Sequence, residues 1–379
     1  MTLYKQDKFS SIESISLPSS LIDLKEGWFH KIKNLTTINV SSNNPRYSTY
    51  ENKYIIGKTS NENENFDVLV FSVRDIKTAN IPNFIKNIGP YSFNECNQLE
   101  KVLFSNNSNL QTIEKFAFEC SSIEMLSIPL HLTKIWQSWF SSCKRLRKFP
   151  IPKNSELKTI EKNAFTCSSI ESFTIPLHLN KLCEQTFYCC DKLDNIQIPL
   201  NSDLQIIEEE AFSECSIESF TIPSKLIELK KRWCHLTQKE TQISVDKNNS
   251  NFQNYDDQFI IGKSSIKNDE FDVLVFYVRD IEIATIPSFI KHIDSCSFQH
   301  CSIEKEAFVL SMIESISIPL HVTKISDRAF KSCKKLRRVE IPLNSELKTI
   351  GCNAFSDTFI ESFYIPQKVT KIGGYSFYC

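Results

Sequence analysis

An Ile-Pro dipeptide recurs along this chain, with its proline at 82, 129, 152, 176, 199, 223, 287, 319, 342 and 366; Leu17-Pro18 is a further copy. From Pro129 to Pro223 the spacings are 23, 24, 23 and 24. Self-similarity at a fixed period of 20–50 residues is the signature of stacked repeat architectures, because one such unit cannot bury its own apolar face. Around each proline the same pattern returns: L-x-x-I-x-I-P, a short spacer, L-x-x-I, then A-F-x-x-C, as in Ile170–Cys190 and Leu193–Cys215.

Two unit types alternate, so Pro82, Pro129, Pro176 and Pro223 fall on a 47-residue super-period. A larger duplication lies above it. A shift of 205 maps Trp28 onto Trp233, Ile55-Ile56-Gly57 onto Ile260-Ile261-Gly262, and Phe66-Asp-Val-Leu-Val-Phe onto the same hexapeptide at Phe271. The same shift maps Val73-Arg-Asp-Ile onto Val278-Arg-Asp-Ile. After Cys301 the offset falls to 190, as for Ser155-Glu-Leu-Lys-Thr-Ile and Ser345-Glu-Leu-Lys-Thr-Ile, so 15 residues are missing from the second copy. The reading is one solenoid over residues 1–379, built by tandem duplication of roughly 1–205 and 206–379.

Local chemistry gives the shape of the unit. The alternation in I-x-I-P predicts a short strand of period two, ended by a proline that has no N–H to donate. A-F-x-x-C predicts one helical or 3₁₀ turn that sends Phe and Cys inward. Eleven of the 28 phenylalanines fill one column: 93, 118, 140, 165, 187, 212, 298, 308, 330, 355 and 377. Such a column reads as an aromatic spine, its rings stacked at about the 4.7–4.9 Å strand spacing. Residues 35–81 and 240–286 break the rhythm in the same way, with an Asn-rich turn, a Tyr/Phe-Ile-Ile-Gly-Lys strand, a polar loop and Phe-Asp-Val-Leu-Val-Phe. Each is predicted to be an extended repeat with a β-hairpin excursion. The fold class is therefore a mainly β repeat protein, with short parallel strands and short helical or 3₁₀ turns.

The L-x-x-I-x-I-P…L-x-x-I…A-F-x-x-C unit resembles the leucine-rich repeats of the BspA-like surface antigens, found in some bacteria and abundant in trichomonad-type parasitic protists. The extended units, with Asn43-Asn44-Pro45-Arg46-Tyr47 before Ile55-Ile56-Gly57-Lys58, resemble that family's long repeats. The resemblance covers essentially the whole chain. It implies a curved leucine-rich-repeat solenoid that binds proteins or host surfaces, with no catalytic residues to carry over.

Other chemistries are poorly supplied. Only 7 glycines are present, against about 26 at average usage. That scarcity argues against phosphate-cradling loops and against many left-handed turns. No G-x-S-x-G, P-loop or G-x-G-x-x-G occurs, and Glu208-Glu209-Glu210 reads as a solvated edge. Neither an enzyme nor a cofactor is expected. Formal net charge is −1, which gives no electrostatic footprint for nucleic acid. Nine of the 14 cysteines, at 96, 120, 143, 167, 190, 215, 301, 333 and 379, are placed in the A-F-x-x-C column and read as a buried thiol ladder. Cys296 and Cys301 lack the partner pair that a zinc site needs. His131, His178 and His321 share a column and read as surface residues.

The N-terminal octapeptide has no apolar h-region, and no window approaches 18 consecutive apolar residues. A soluble chain without signal peptide or membrane insertion is expected. The cysteine pattern points to reduced thiols and the cytoplasm, whereas the resemblance implies the cell surface.

One outward position lies between the two inward residues of each strand. That column, with two neighbouring arginines, gives the candidate binding face: Ser127, Arg147, Thr174, Gln197, Thr221, Ser317, Arg337, Glu340 and Tyr364. Lys144-Arg145-Leu-Arg147-Lys148 and Lys334-Lys335-Leu-Arg337-Arg338 each lie one rung from glutamates, at 124 and 171 or at 314 and 361, which predicts lateral Glu–Arg–Glu ladders. The expected function is protein–protein recognition, with cell-surface adhesion as its specific form. The alternative is an intracellular scaffold or regulatory array. The expected partner is a protein, and exposed terminal rungs favour end-to-end self-association.

Overall fold

The computed structural model describes residues 11–30, 32–60, 64–105, 107–230, 232–234, 242–256, 259–264, 269–277, 283–294 and 313–378. The chain divides into two compact units, Met1–Leu193 and Asp194–Cys379. Each is built from the same rung.

A rung has three segments, and each makes its own ladder to the next rung. The first is the I-x-I-P strand. In the first unit Ser14–Leu17 pairs in parallel with Thr37–Val40, and Thr78–Ile81 with Lys101–Phe104. In the second, Ser219–Ile222 pairs with Gln242–Val245 and Ser315–Ser317 with Arg338–Glu340. Proline ends the strand as expected, and its carbonyl then accepts a turn hydrogen bond: Leu132 N–H to Pro129 O at 3.2 Å, and Leu179 N–H to Pro176 O at 3.1 Å. The second segment is a two-residue strand from L-x-x-I, such as Lys134–Ile135 against Thr159–Ile160, or Lys324–Ile325 against Thr349–Ile350.

The third segment departs from expectation. Among the described residues A-F-x-x-C forms no helix. It forms turns interrupted by left-handed residues four apart, such as Phe116 (φ 60°) and Cys120 (φ 57°), or Ser138 (φ 54°) and Ser142 (φ 60°). A residue at positive φ breaks a helix, because its N–H turns away from the helical direction. Here the N–H groups of the left-handed residues, and of the phenylalanine between them, turn along the stack. Phe116, Phe118 and Cys120 donate to the carbonyls of Gln137, Trp139 and Ser141 at 3.1, 3.1 and 2.9 Å. Arg328, Phe330 and Ser332 repeat this toward Cys352, Ala354 and Ser356 at 2.9, 2.8 and 2.8 Å. Inter-rung bonds thus offset the steric cost of the left-handed conformation.

Inside lies the aromatic spine. Phe93, Phe118, Phe140, Phe165 and Phe187 are fully buried, with successive ring centroids 5.1, 5.5, 5.5 and 5.3 Å apart and nearly parallel planes. In the second unit Phe330, Phe355 and Phe377 continue at 4.9 and 5.5 Å. Phe298 and Phe308 lie outside the described residues. Burying such a ring contributes roughly 1.5–3 kcal/mol, and one recurs in each rung.

The extended repeats take the expected excursion. Tyr47–Tyr50, Tyr54–Gly57 and Val68–Ser72 form an antiparallel meander, and its third strand rejoins the parallel ladder at Asn87–Ile88. Phe252–Tyr255, Phe259–Gly262 and Val273–Tyr277 do the same, and the register shifts between Ile55 and Ile56 exactly as between Ile260 and Ile261 — one bulge in two copies. The Asn-rich turn positions each meander. Asn44 donates to Pro18 O (2.7 Å) and Leu21 O (2.9 Å), and its Oδ1 accepts from the Arg46 and Tyr47 N–H groups. Asn249 repeats these bonds.

The cysteine column needs correction. Cys96, Cys143, Cys190, Cys215 and Cys333 sit three residues after their Phe and are buried. Cys120 and Cys167 sit only two residues after theirs, at left-handed positions, and are half-buried. In those rungs the inward place goes to Ser121 and Ser168. The buried ladder of the first unit therefore alternates Cys, Ser, Cys, Ser, Cys, which is the two-type super-period made visible. Cys296, Cys301 and Cys379 lie outside the described residues.

Candidate binding face

The I-x-I-P strands turn one face inward and leave the other in solvent. In the first unit Ser127 and Thr174 are exposed at the outward position, as are Asn80 and Pro150 of the same column. Asn80 pairs with Leu103, Lys101 bridges to Met125, and Met125 bridges to Lys148. Continuing that register places Leu103 opposite Ser127. This face thus carries two exposed apolar side chains, Leu103 and Met125, each about half accessible. The sequence reading missed Leu103 because Val102-Leu103-Phe104-Ser105 has no proline to mark it as a rung, and missed Met125 because it took one outward position per strand, Ser127, and not the one two residues before it. The parallel bridges supply the register that the dipeptide could not.

Charges frame these side chains. The lateral ladder exists, but two arginines share it: Arg145 pairs with Glu124 on the preceding rung, and Arg147 with Glu171 on the next at 3.5 Å. Lys101 and Lys148, on either side of Met125, have no ion-pair partner among the described residues. The outward surface is therefore apolar at its centre with net positive charge around it.

In the second unit Gln197, Thr221, Ser317, Glu340 and Tyr364 are likewise exposed. Thr221 and Ser244 hydroxyls meet at 2.9 Å across paired strands. Ser317 is paired with Glu340, and Arg337 reaches Glu361 at 3.5 Å. The bridge from Arg338 to Ser362 carries the register on toward Tyr364. Small hydroxyl and charged groups dominate here.

The other sequence candidates also find their places. His131 and His321 are exposed and approach Glu156 and Glu346 at 3.3 and 3.4 Å. Glu209 and Glu210 are ion-paired to Arg232 at 2.8 and 2.7 Å, so this edge is less solvated than the sequence suggested. Among the described residues no three His, Cys, Asp or Glu side chains gather as a metal-ligand set, and no helix is long and apolar enough to cross a membrane.

The repeated rung has a counterpart among known proteins. The family model for the BspA type leucine rich repeat region matches six times, over residues 5–60, 64–194, 111–238, 158–268, 181–304 and 302–379. The chain belongs to the BspA-type leucine-rich repeat family. Two solved structures share the fold of this BspA-type protein. A leucine rich cell surface protein from Faecalibacterium prausnitzii aligns at TM-score 0.62 and 18% identity, covering 88% of this chain and 86% of that one. The pneumococcal vaccine antigen PcpA aligns at TM-score 0.62 and 20% identity, covering 87% and 78%. No curated protein matches in sequence.

Proposed function

We propose that this BspA-type repeat protein is a non-catalytic recognition module displayed at a cell surface. Its ligand is an extended, acidic and apolar segment of a partner protein, laid across the open strand face of the first unit. The observation that carries this reading is the pairing of exposed Leu103 and Met125 with the unpaired Lys101 and Lys148. Apolar anchors within a charged rim are the arrangement that protein interfaces use, and uncompensated lysines favour an acidic partner. The two structural counterparts, one described as a cell surface protein and the other as a vaccine antigen, support display at a surface.

The free cysteines give the alternative, an intracellular scaffold, some support. Biotinylation of intact cells separates the two: labelling before lysis fits surface display, and labelling only after lysis selects the scaffold. The face is tested by binding of purified protein to target cells. Saturable binding that Leu103→Asp with Met125→Asp abolishes supports it, and binding indifferent to both substitutions sinks it.

A further inference from the structure

A cavity of about 260 Å³ opens in the first unit, between residues 24–29, the first meander and the two successive rungs that carry Tyr91 and Glu114. It is distinct from the strand face. At that size its occupant is smaller than the drug-sized ligands that fill pockets of about 300–1,000 Å³. Trp28, Tyr47 and Val70 supply apolar wall. Tyr47 is fixed by the Leu24 N–H, which donates to its hydroxyl at 3.1 Å.

Three charges on the wall have no counter-ion among the described residues: Arg46, Glu114 and Lys58, whose ammonium lies over the Phe66 ring at 5.2 Å. Arg46 makes only one long hydrogen bond, from Nη2 to Thr59 O at 3.5 Å, while its Nη1 is buried with no partner. A buried guanidinium nitrogen without an acceptor is costly unless a ligand satisfies it. Glu114 is half-buried, and its carboxylate has no salt-bridge or hydrogen-bond partner among the described residues. Burial, and then the charge of Glu26, push its carboxyl above the usual range. By contrast Lys25 and Glu26, also on the wall, are paired to Asp23 and Lys115.

The internal duplication provides a control. The shift of 205 places Arg232 at the position of Gly27, Asn251 at Arg46, Phe252 at Tyr47 and Asp294 at Gly89. Gly27 has φ +74°, but Arg232 holds φ 58° in the equivalent turn. The turn therefore accepts a side chain, and glycine at 27 leaves room instead. The meander itself is kept in both copies. Among the cavity-lining residues Gly27, Arg46 and Gly89 change in the second copy, whereas Trp28 and Val70 recur as Trp233 and Val275, and Glu114 recurs as Glu304 under the later offset of 190, so the control bears on Arg46.

We propose that this cavity binds a small zwitterion with an aromatic or branched apolar body, the chemistry of a free aromatic α-amino acid. Its carboxylate pairs with Arg46, its ammonium with Glu114, and its body packs on Trp28, Tyr47 and Val70. A ligand with both charges on one carbon accounts for Arg46 and Glu114 together, while Lys58 rests over the Phe66 ring. An anion alone would leave Glu114 opposing it.

Calorimetric titration of the full chain with L-phenylalanine, 3-phenylpropionate and phenethylamine tests this. Phenylalanine is expected to saturate with Kd below about 1 mM, with each analogue weaker by roughly tenfold. Arg46→Asn, the residue of the second copy, and Glu114→Gln should each weaken phenylalanine by roughly tenfold, while Arg46→Lys retains part of the affinity. Melting curves establish that each variant is folded, and if one is not, the analogue series on the unaltered chain decides. No saturable binding of phenylalanine, equal binding of 3-phenylpropionate, or binding unchanged by Arg46→Asn overturns the proposal.

Discussion

Ser121 Oγ lies 3.5 Å from Cys143 Sγ on the following rung, and Ser168 repeats this with Cys190 at the same distance. Each thiol also donates to the carbonyl of the phenylalanine one rung back, Phe118 at 3.1 Å and Phe165 at 3.0 Å. The alternation of cysteine and serine is thus a polar thread beside the aromatic spine, with each polar atom partnered inside the core.

The thread fixes how the thiols respond to pH. Burial pushes both Cys143 and Cys190 up to about 12, with the serines acting weakly in the other direction. These thiols ionise near 9 in the unfolded chain and near 12 in the folded one. The unfolded state thus binds fewer protons between those values, and stability falls as pH rises through them. Each thiol removes at most about 1.4 kcal/mol per pH unit in that window and nothing below it. Denaturation midpoints measured from pH 7 to pH 11 should be flat to about 9 and then drop. Maleimide labelling at pH 7.5 should modify the exposed Cys352 while sparing Cys143 and Cys190 until the chain is unfolded.

The aromatic spine should show a gradient from interior to end. Phe165 is fully buried, with Phe140, Phe149, Phe173 and Phe187 at 5.0–5.5 Å. Phe165→Ala leaves a cavity on all sides and is expected to cost about 3–5 kcal/mol. Phe377 is 37% exposed, with Phe355 and Phe363 at 5.5 and 4.8 Å. Phe377→Ala should cost about 1 kcal/mol or less. Urea denaturation of the two variants checks the contrast.

Ser332, at φ 58°, donates its N–H to Ser356 O at 2.8 Å. The bond needs the left-handed backbone, and the side chain there is only a steric burden. Ser332→Gly is expected to keep or raise stability, by up to about 1 kcal/mol, and Ser332→Val to lower it by about 1–2 kcal/mol. Thermal melts of both variants read the sign directly.

This position also shows where sequence reading failed. Spine, strands, proline stops and meanders were legible because each is a periodic constraint on side-chain type. The scarcity of glycine suggested few left-handed turns, yet 21 described residues other than glycine have positive φ. The ladder at Phe116, Phe118 and Cys120 explains the discrepancy. A bond to the next rung rewards the backbone conformation whatever the side chain, so composition does not record it. The binding face was legible at Ser127 and Thr174, where a proline marks the rung. It was not at Leu103, where no proline marks the rung, nor at Met125, which lies two residues before Ser127 on the same strand face. Arg46 and Glu114 are 68 residues apart in sequence, and only the fold brings them to one cavity.

The arginine ladders separate stability from recognition. Arg147 is exposed, Glu171 is about half exposed, and the two are 3.5 Å apart. Water screens such a pair, and holding two long side chains in place costs entropy, so its contribution is about 0–1 kcal/mol. Glu171→Ala should therefore shift the denaturation midpoint little, and raising the salt concentration should shift it no further. Arg147→Glu should likewise leave the fold intact while placing a like charge against an acidic partner. The expected result is slower association with target cells, most evident at low ionic strength, with an unchanged melting temperature. Association rates that match the unaltered protein at low salt would remove Arg147 from the binding face and leave recognition to Leu103, Met125 and their flanking lysines.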